Sequence, residues 1–238
     1  MKPYNQEESK KVQVRNMFNN IAPTYDRLNH ILSVNIDRLW RRRVVRLVQK
    51  MKPQHILDVA TGTGDLAIAL ARKIEDCTVL GVDLSEQMLA VAREKVASCG
   101  LSEQIALAVG DAEHLEVADG SVDVVTVAFG VRNFENLEQG LREMHRTIKQ
   151  GGHIVILEFS TPRARLFGAL YRWYSHKVLP FIGRLISRDG AAYDYLPSSV
   201  DEFPAPERFM EMLAEVGFKN CKARSQSCGI AQIYTAER

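Results

Sequence analysis

At 238 residues, 46% hydrophobic and 25% charged, the chain has the make-up of an ordinary globular protein and the length of one α/β domain with added helix. A net charge of +2 is too slight to argue for nucleic acid, and four cysteines without C-x-x-C spacing or nearby histidines argue against a zinc site or a disulfide framework. The polar start from Met1 to Glu8 excludes a secretory apolar region, and no apolar run is long enough to span a bilayer, so a cytoplasmic protein is expected.

Residues 1–52 read as a helical lid. Val14, Met17, Phe18 and Ile21 form one apolar stripe, broken at Pro23. Trp40, Val44, Leu47, Val48 and Met51 form another, with Arg41, Arg42 and Arg43 toward solvent. Between the stripes, Ala22 to His30 carries polar and aromatic side chains without a clear period.

From residue 55 the rhythm becomes short apolar runs alternating with helical patterns. Strands are expected at His55–Val59, Thr78–Val82, Ile105–Val109, Val122–Phe129 and His153–Phe159. Helices are expected at Asp65–Ile74, after a Ser85 cap, and through Leu137, Leu141, Met144 and Ile148, the last stopped by Gly151 and Gly152. Parallel strands need crossover helices, so the alternation predicts a mostly parallel sheet covered on both faces. A helix at Pro206–Val216, stopped by Gly217, precedes an antiparallel pair, Phe218–Cys221 with Ile230–Thr235. One domain spanning residues 1–238, with a helical insertion after the fifth strand, accounts for the whole pattern.

The loop from Asp58 to Asp65 leaves a buried strand and enters a helix, where open α/β sheets take ligands. Gly62 and Gly64 let the backbone approach a ligand and take positive φ. The loop fits neither the dinucleotide G-x-G-x-x-G pattern, since Ala67 stands at the third glycine, nor a Walker A loop. Asp58 and Asp65 beside the glycines repel phosphate and favour a ligand carrying positive charge. Asp83 ends the second strand, where a carboxylate can accept two ribose hydroxyls, or cap the helix at Ser85, or do both. Asp111 ends the third, placed for an adenine amino group or for a plain turn.

The loop resembles motif I of class I methyltransferases, with Ala60 in the first glycine position. Phe18 to Asp26, Phe129 to Asn133, Leu157 to Pro162 and Tyr193 to Ser199 are similar to the menaquinone/ubiquinone biosynthesis C-methyltransferase family, and the likeness runs from about Phe18 to the C-terminus. The resemblance implies a Rossmann-like class I methyltransferase fold with a seven-stranded sheet. It also implies S-adenosylmethionine as methyl donor, without a metal. Carried over by position, cofactor contacts fall on Thr63, Asp83, Asp111 and Ala112, joining Asp58, Gly62 and Gly64 from the loop. Ala128 stands where some members have a serine and is left out.

Methylating a ring carbon needs an electron-rich carbon in line with the sulfonium methyl, and a quinol supplies one when a neighbouring hydroxyl loses its proton. Arg132 and Asn133, just past the fourth strand, are candidates to pair with that oxygen and to hydrogen-bond it. A surface salt bridge from Arg132 to Glu135 or Glu138 is the plain alternative. Tyr25 and Asp26 in the lid are further candidates, with His30 behind them, although Asp26 also suits a helix cap. No single base is chosen.

Residues 163–188 carry six basic side chains and no acid, which leaves the rest of the chain at −4, and they interleave Phe167, Tyr171, Trp173, Tyr174 and Phe181. A basic, aromatic helical stretch reads as a peripheral membrane contact at the inner face of the plasma membrane, or as an ordinary helix with solvated arginines. A polyprenyl quinol, which lives in the bilayer, is the expected substrate. Demethylmenaquinol is favoured over a benzoquinol because the Asp58–Gly64 loop is more like menaquinone-specific members. Other small-molecule methyltransferases and a non-catalytic adenosylmethionine sensor share the loop. Nucleic acid is not expected as a partner, and a homodimer is left open.

Overall fold

The central β-strands carry apolar side chains on both faces, and alternate residues divide between two cores. In a computed structural model, which describes residues 2–4, 7–26, 33, 35–162, 168 and 190–238, Ile56, Val124 and Val155 join one core while Leu57, Val125 and Ile156 join the other. A strand buried on both sides must be covered on both sides, which is what the connecting helices do.

In chain order the elements are α1 (Lys10–Ile21), α2 (Ile36–Met51), β1 (His55–Val59), α3 (Asp65–Ala71), β2 (Thr78–Asp83), α4 (Glu86–Ser98), β3 (Ile105–Val109) and β4 (Val122–Ala128). Then follow α5 (Leu137–Thr147), β5 (Ile148–Phe159), α6 (Gly190–Glu202), α7 (Pro206–Val216), β6 (Lys219–Gln226) and β7 (Ala231–Glu237). They build one seven-stranded sheet in the order β3-β2-β1-β4-β5-β7-β6. Strands β1 to β5 pair in parallel, while β7 runs antiparallel to both β5 and β6. The expected mostly parallel sheet is therefore present. Its order turns outward in opposite directions from β1 and β4, and such a switch point opens a crevice at the strand carboxyl ends.

Helices α2 and α3 bury Trp40, Val44, Val48, Leu66 and Leu70 on one face of the sheet. Helices α5 and α7 bury Leu141, Met144, Phe209 and Leu213 on the other. The lid stripe holds, since Val14, Met17 and Ile21 of α1 pack with Met88 of α4 in a third, smaller core. Pro23 ends α1 as expected, inside a short 3-10 turn.

Three expectations need correction. Helix α5 stops at Thr147 rather than at the glycines, and Ile148 already belongs to β5; Gly151, at φ +74°, instead donates its N–H to the Arg238 carbonyl. The closing pair is longer than expected, because β6 continues to Gln226 and β7 to Glu237. Arg41 does not face solvent: it pairs with Asp37 and, at 3.5 Å, with Asp65, and its guanidinium lies 5.7 Å from the Phe129 ring centre. The expected basic stretch 163–188, apart from Gly168, and His30 lie outside the described residues.

Candidate functional site

A cleft of about 730 Å³ of non-atom space, open to solvent, lies at the switch point. Its walls come from the β1–α3 loop, the ends of β2, β3 and β4, and the lid.

The loop is suspended from its neighbours by its own polar groups. Thr61 N–H donates to the Val82 carbonyl (3.1 Å) and Gly62 N–H to Asp83 Oδ2 (2.8 Å). Both glycines adopt the expected left-handed backbone, Gly62 at φ +57° and Gly64 at φ +79°. Ala60 does so as well, at φ +53°, a conformation that costs an L-residue about 1–2 kcal/mol. Gly130 makes room for it, since a Cβ there would stand 2.6 Å from the Ala60 Cβ.

Asp83 lines the cleft. Its Oδ1 accepts from Ser85 N–H and its Oδ2 from Gly62 N–H, each at 2.8 Å, which fixes the carboxylate while leaving a lone pair on each oxygen. Burial pushes its carboxyl above the usual range, against the pull of the Ser85, Gly62 and Leu84 backbone donors. Ser85 is the actual N-cap of α4, accepting from Met88 N–H at 3.2 Å. Asp83 thus orders that turn and faces the cleft together.

Asp111 and Ala112 also line the cleft. Asp111 Oδ1 closes a turn with Glu113 N–H (2.9 Å), so the residue makes the plain turn while also lining the cleft. Its Oδ2 meets the Lys11 ammonium of α1 at 2.6 Å, and Lys11 reaches Glu113 at 3.1 Å. Burial raises the Asp111 carboxyl, but the Lys11 ammonium and the Glu113 N–H outweigh it and hold the group below its ordinary value. Nothing in the sequence marks Lys11 as a partner across a hundred residues of chain.

The remaining loop residues are placed differently. Asp58 is 1% exposed, its two oxygens accepting from Thr61 and Thr126 hydroxyls, each at 2.6 Å. Thr63, 3% exposed, donates to Asp26 Oδ1 at 2.5 Å. Lys95 binds Asp26 at 2.6 Å and Asp65 at 2.5 Å. Asp26 is therefore a latch that ties the lid to the loop, and not a free carboxylate at the reacting edge. Tyr25 does line the cleft, edge-on to Phe18 with ring centres 5.9 Å apart.

The largest departure is Arg132. Glu135 and Glu138 are not its partners. It is 9% exposed, and Nη1 donates to Glu158 Oε1 (2.8 Å) and to the Phe129 carbonyl (2.5 Å) while Nε reaches Ser199 Oγ (3.3 Å). Its guanidinium lies 5.4 Å from the Phe159 ring centre, and Phe159 stacks on Phe129 at 4.4 Å. Phe129 itself has φ +61°, an uncommon backbone for a bulky residue, and the Arg132 donor on its carbonyl holds it there. Glu158 falls in the family-like stretch Leu157 to Pro162, but a strand acid whose partner lies 26 residues away gives no local signal of that pairing.

Asn133 completes the edge. It lines the cleft and is 8% exposed, and its Oδ1 has no hydrogen-bond partner among the described residues. Asp83 and Asp111 offer acceptors for hydroxyls and an amine between apolar walls at Val82, Leu84, Met88 and Ala112, so the cleft suits an adenosine. Asn133 lies on the other wall, beside Ala128 and Gly130.

The chain matches the model of the ubiE/COQ5 methyltransferase family over residues 5–238. It is 46% identical to a demethylmenaquinone methyltransferase of Bacteroides fragilis, with 100% of this chain and 97% of that one covered. It is 48% identical to a ubiquinone/menaquinone biosynthesis C-methyltransferase of Geobacter sulfurreducens, covering 95% of this chain and 88% of the relative. Among solved structures, a SAM-dependent methyltransferase from Thermotoga maritima has the same fold, with a TM-score of 0.63 at 18% identity over 93% of this chain and 98% of that one.

Proposed function

The chain belongs to the ubiE/COQ5 methyltransferase family, and from that premise we propose that it transfers the methyl of S-adenosylmethionine to a ring carbon of demethylmenaquinol, in menaquinone biosynthesis. One observation carries the assignment to this cleft: Asp83 and Asn133, whose Oδ1 has no hydrogen-bond partner among the described residues, both line it. A ribose diol suits the first and a quinol hydroxyl the second.

In this reading Asp83, Asp111, Ala112 and Gly62 contact the methyl donor, which supplies an electrophilic methyl on sulfonium sulfur. Asp58, Thr63 and Gly64 shape the loop. Asn133 accepts a hydrogen bond from the quinol and sets the ring, and Tyr25 closes over it. Arg132 holds the Phe129–Asn133 turn and places a positive charge behind the edge where negative charge develops on a quinol oxygen. Asp26 ties the lid to the loop beside the cleft.

Asp83→Ala is expected to weaken adenosylmethionine binding about tenfold or more, the loss of one or two charge-assisted hydrogen bonds. Calorimetry checks this, and unchanged affinity would remove Asp83 from the cofactor site.

For the substrate, we place the quinol at a membrane surface. No helix among the described residues is long and apolar enough to cross a membrane. The basic, aromatic stretch 163–188 supports a peripheral contact instead. Each basic residue near an anionic surface contributes about 1 kcal/mol, screened over about 10 Å at 0.1 M salt. The protein is expected to methylate a short-chain soluble demethylmenaquinol and to sediment with anionic vesicles until salt releases it. Replacing Arg165, Arg172 and Arg184 with Gln should weaken sedimentation and lower turnover on long-chain quinol in vesicles, while sparing the soluble substrate. Equal sedimentation would make the stretch a structural cover. No turnover on either quinol would refute the substrate.

A further inference from the structure

Buried polar side-chain atoms without a hydrogen-bond partner are uncommon, and each asks for an explanation. Two share one corner of this molecule: Asn133 Oδ1 and the Tyr195 hydroxyl. Tyr195 lies on α6 one turn before Ser199, so the two share a helix face. Ser199 Oγ accepts from Arg132 Nε at 3.3 Å, which turns that face toward the residue adjoining Asn133. The phenol is 4% exposed and packs with Val14 and Met88, and Phe18 and Tyr25 pack against the same cluster. All four of those residues line the cleft. Tyr195 therefore sits between the lid wall of the cleft and the Arg132–Glu158 pair.

We propose that Tyr195 binds substrate, its hydroxyl donating a hydrogen bond to one ring oxygen of the quinol while Asn133 Oδ1 accepts from the hydroxyl on the other. The two atoms are chemically complementary, since an amide oxygen can only accept and a phenol can donate. Burial pushes the Tyr195 phenol up to about 12, against the pull of Arg132, so the donor keeps its proton at neutral pH. Such a donor bonds an ionised quinol oxygen more strongly than a neutral one, because charge-assisted bonds are the stronger kind. It thereby favours the form whose ring carbon attacks the methyl.

The inference rests on the quinol reading, and Tyr195→Phe separates the two. The variant keeps the ring and deletes a hydroxyl that bonds nothing else among the described residues, so its Tm is expected to equal or exceed that of the wild type. Adenosylmethionine affinity should stay within about twofold, while kcat/KM on short-chain demethylmenaquinol falls about tenfold or more. An unchanged kcat/KM would overturn the role of Tyr195 with the quinol reading intact. A lowered Tm with activity falling in proportion would show a structural hydroxyl and overturn it equally. A wild type that turns over no quinol would sink the underlying reading instead.

Discussion

Replacing Arg132 with alanine is expected to destabilise the protein by about 3–5 kcal/mol, as well as to lower turnover about a hundredfold. The stability loss follows from Glu158, which is 0% exposed and, among the described residues, is paired with Arg132 alone, at 2.8 Å. Removing the guanidinium strands a carboxylate in the core and takes one donor each from the Phe129 carbonyl and the Ser199 hydroxyl. Urea titration of the variant measures the first effect, and single-turnover kinetics on short-chain quinol the second. The double variant Arg132→Met/Glu158→Gln removes both charges, and the glutamine oxygen can still accept from Phe159 N–H, which Glu158 binds at 2.8 Å. Replacing a whole buried pair is often nearly neutral, so the double variant should recover most of the stability. Turnover should stay low, because no guanidinium then binds the Phe129 carbonyl or places charge behind the edge. A double variant that regained full turnover would make Arg132 and Glu158 a folding device alone.

The sheet was legible because its central strands, buried on both faces, write themselves as apolar runs, and β1 and β2 fall within a residue of their expected limits. Asp83 and Asp111 were legible for a related reason: a strand end is a fixed place, and an acid there faces the crevice. What stayed hidden depends on the third dimension. Arg132 sits beside Glu135 in sequence, yet a 3-10 turn over Val131–Asn133 points its side chain back at β5. Asp26 and Thr63 meet only because the lid folds over the loop, and Lys95 clamps both from α4. Helix α6 gave no clear signal, since Pro197 lies inside it and glycine opens it. Polar residues that touch one another at long range carry no period, whereas apolar residues that touch a common core do.

Asp58 leads to the second large effect, one that depends on pH. Burial pushes its carboxyl up from 3.8 to about 6, and nearby Asp83 adds to this, while the Thr126 and Thr61 hydroxyls and Arg41 pull the other way. The folded protein thus holds this proton more tightly than the unfolded chain does. Stability from this group is greatest below pH 3.8, is lost as pH rises from 3.8 to about 6, and is flat above that. The deficit at pH 8 is about 3 kcal/mol, two units at 1.36 kcal/mol each. Asp58→Asn has no charge to bury. Its oxygen can accept from one threonine, and its amide can donate to the other once that hydroxyl rotates. The variant is therefore expected to be more stable than the wild type by up to about 3 kcal/mol at pH 8 and about equal to it at pH 4. Urea titrations at both pH values measure the difference, and a gap that does not change with pH would refute the cause. The same variant should bind adenosylmethionine several-fold more weakly at pH 8. A carboxylate beneath the loop supplies negative potential to a cationic ligand, and it makes both threonine hydroxyls donors, which fixes the turn at Thr61. Stability given up at Asp58 is then the cost of a loop set for its ligand, the trade expected where a buried charge serves a site.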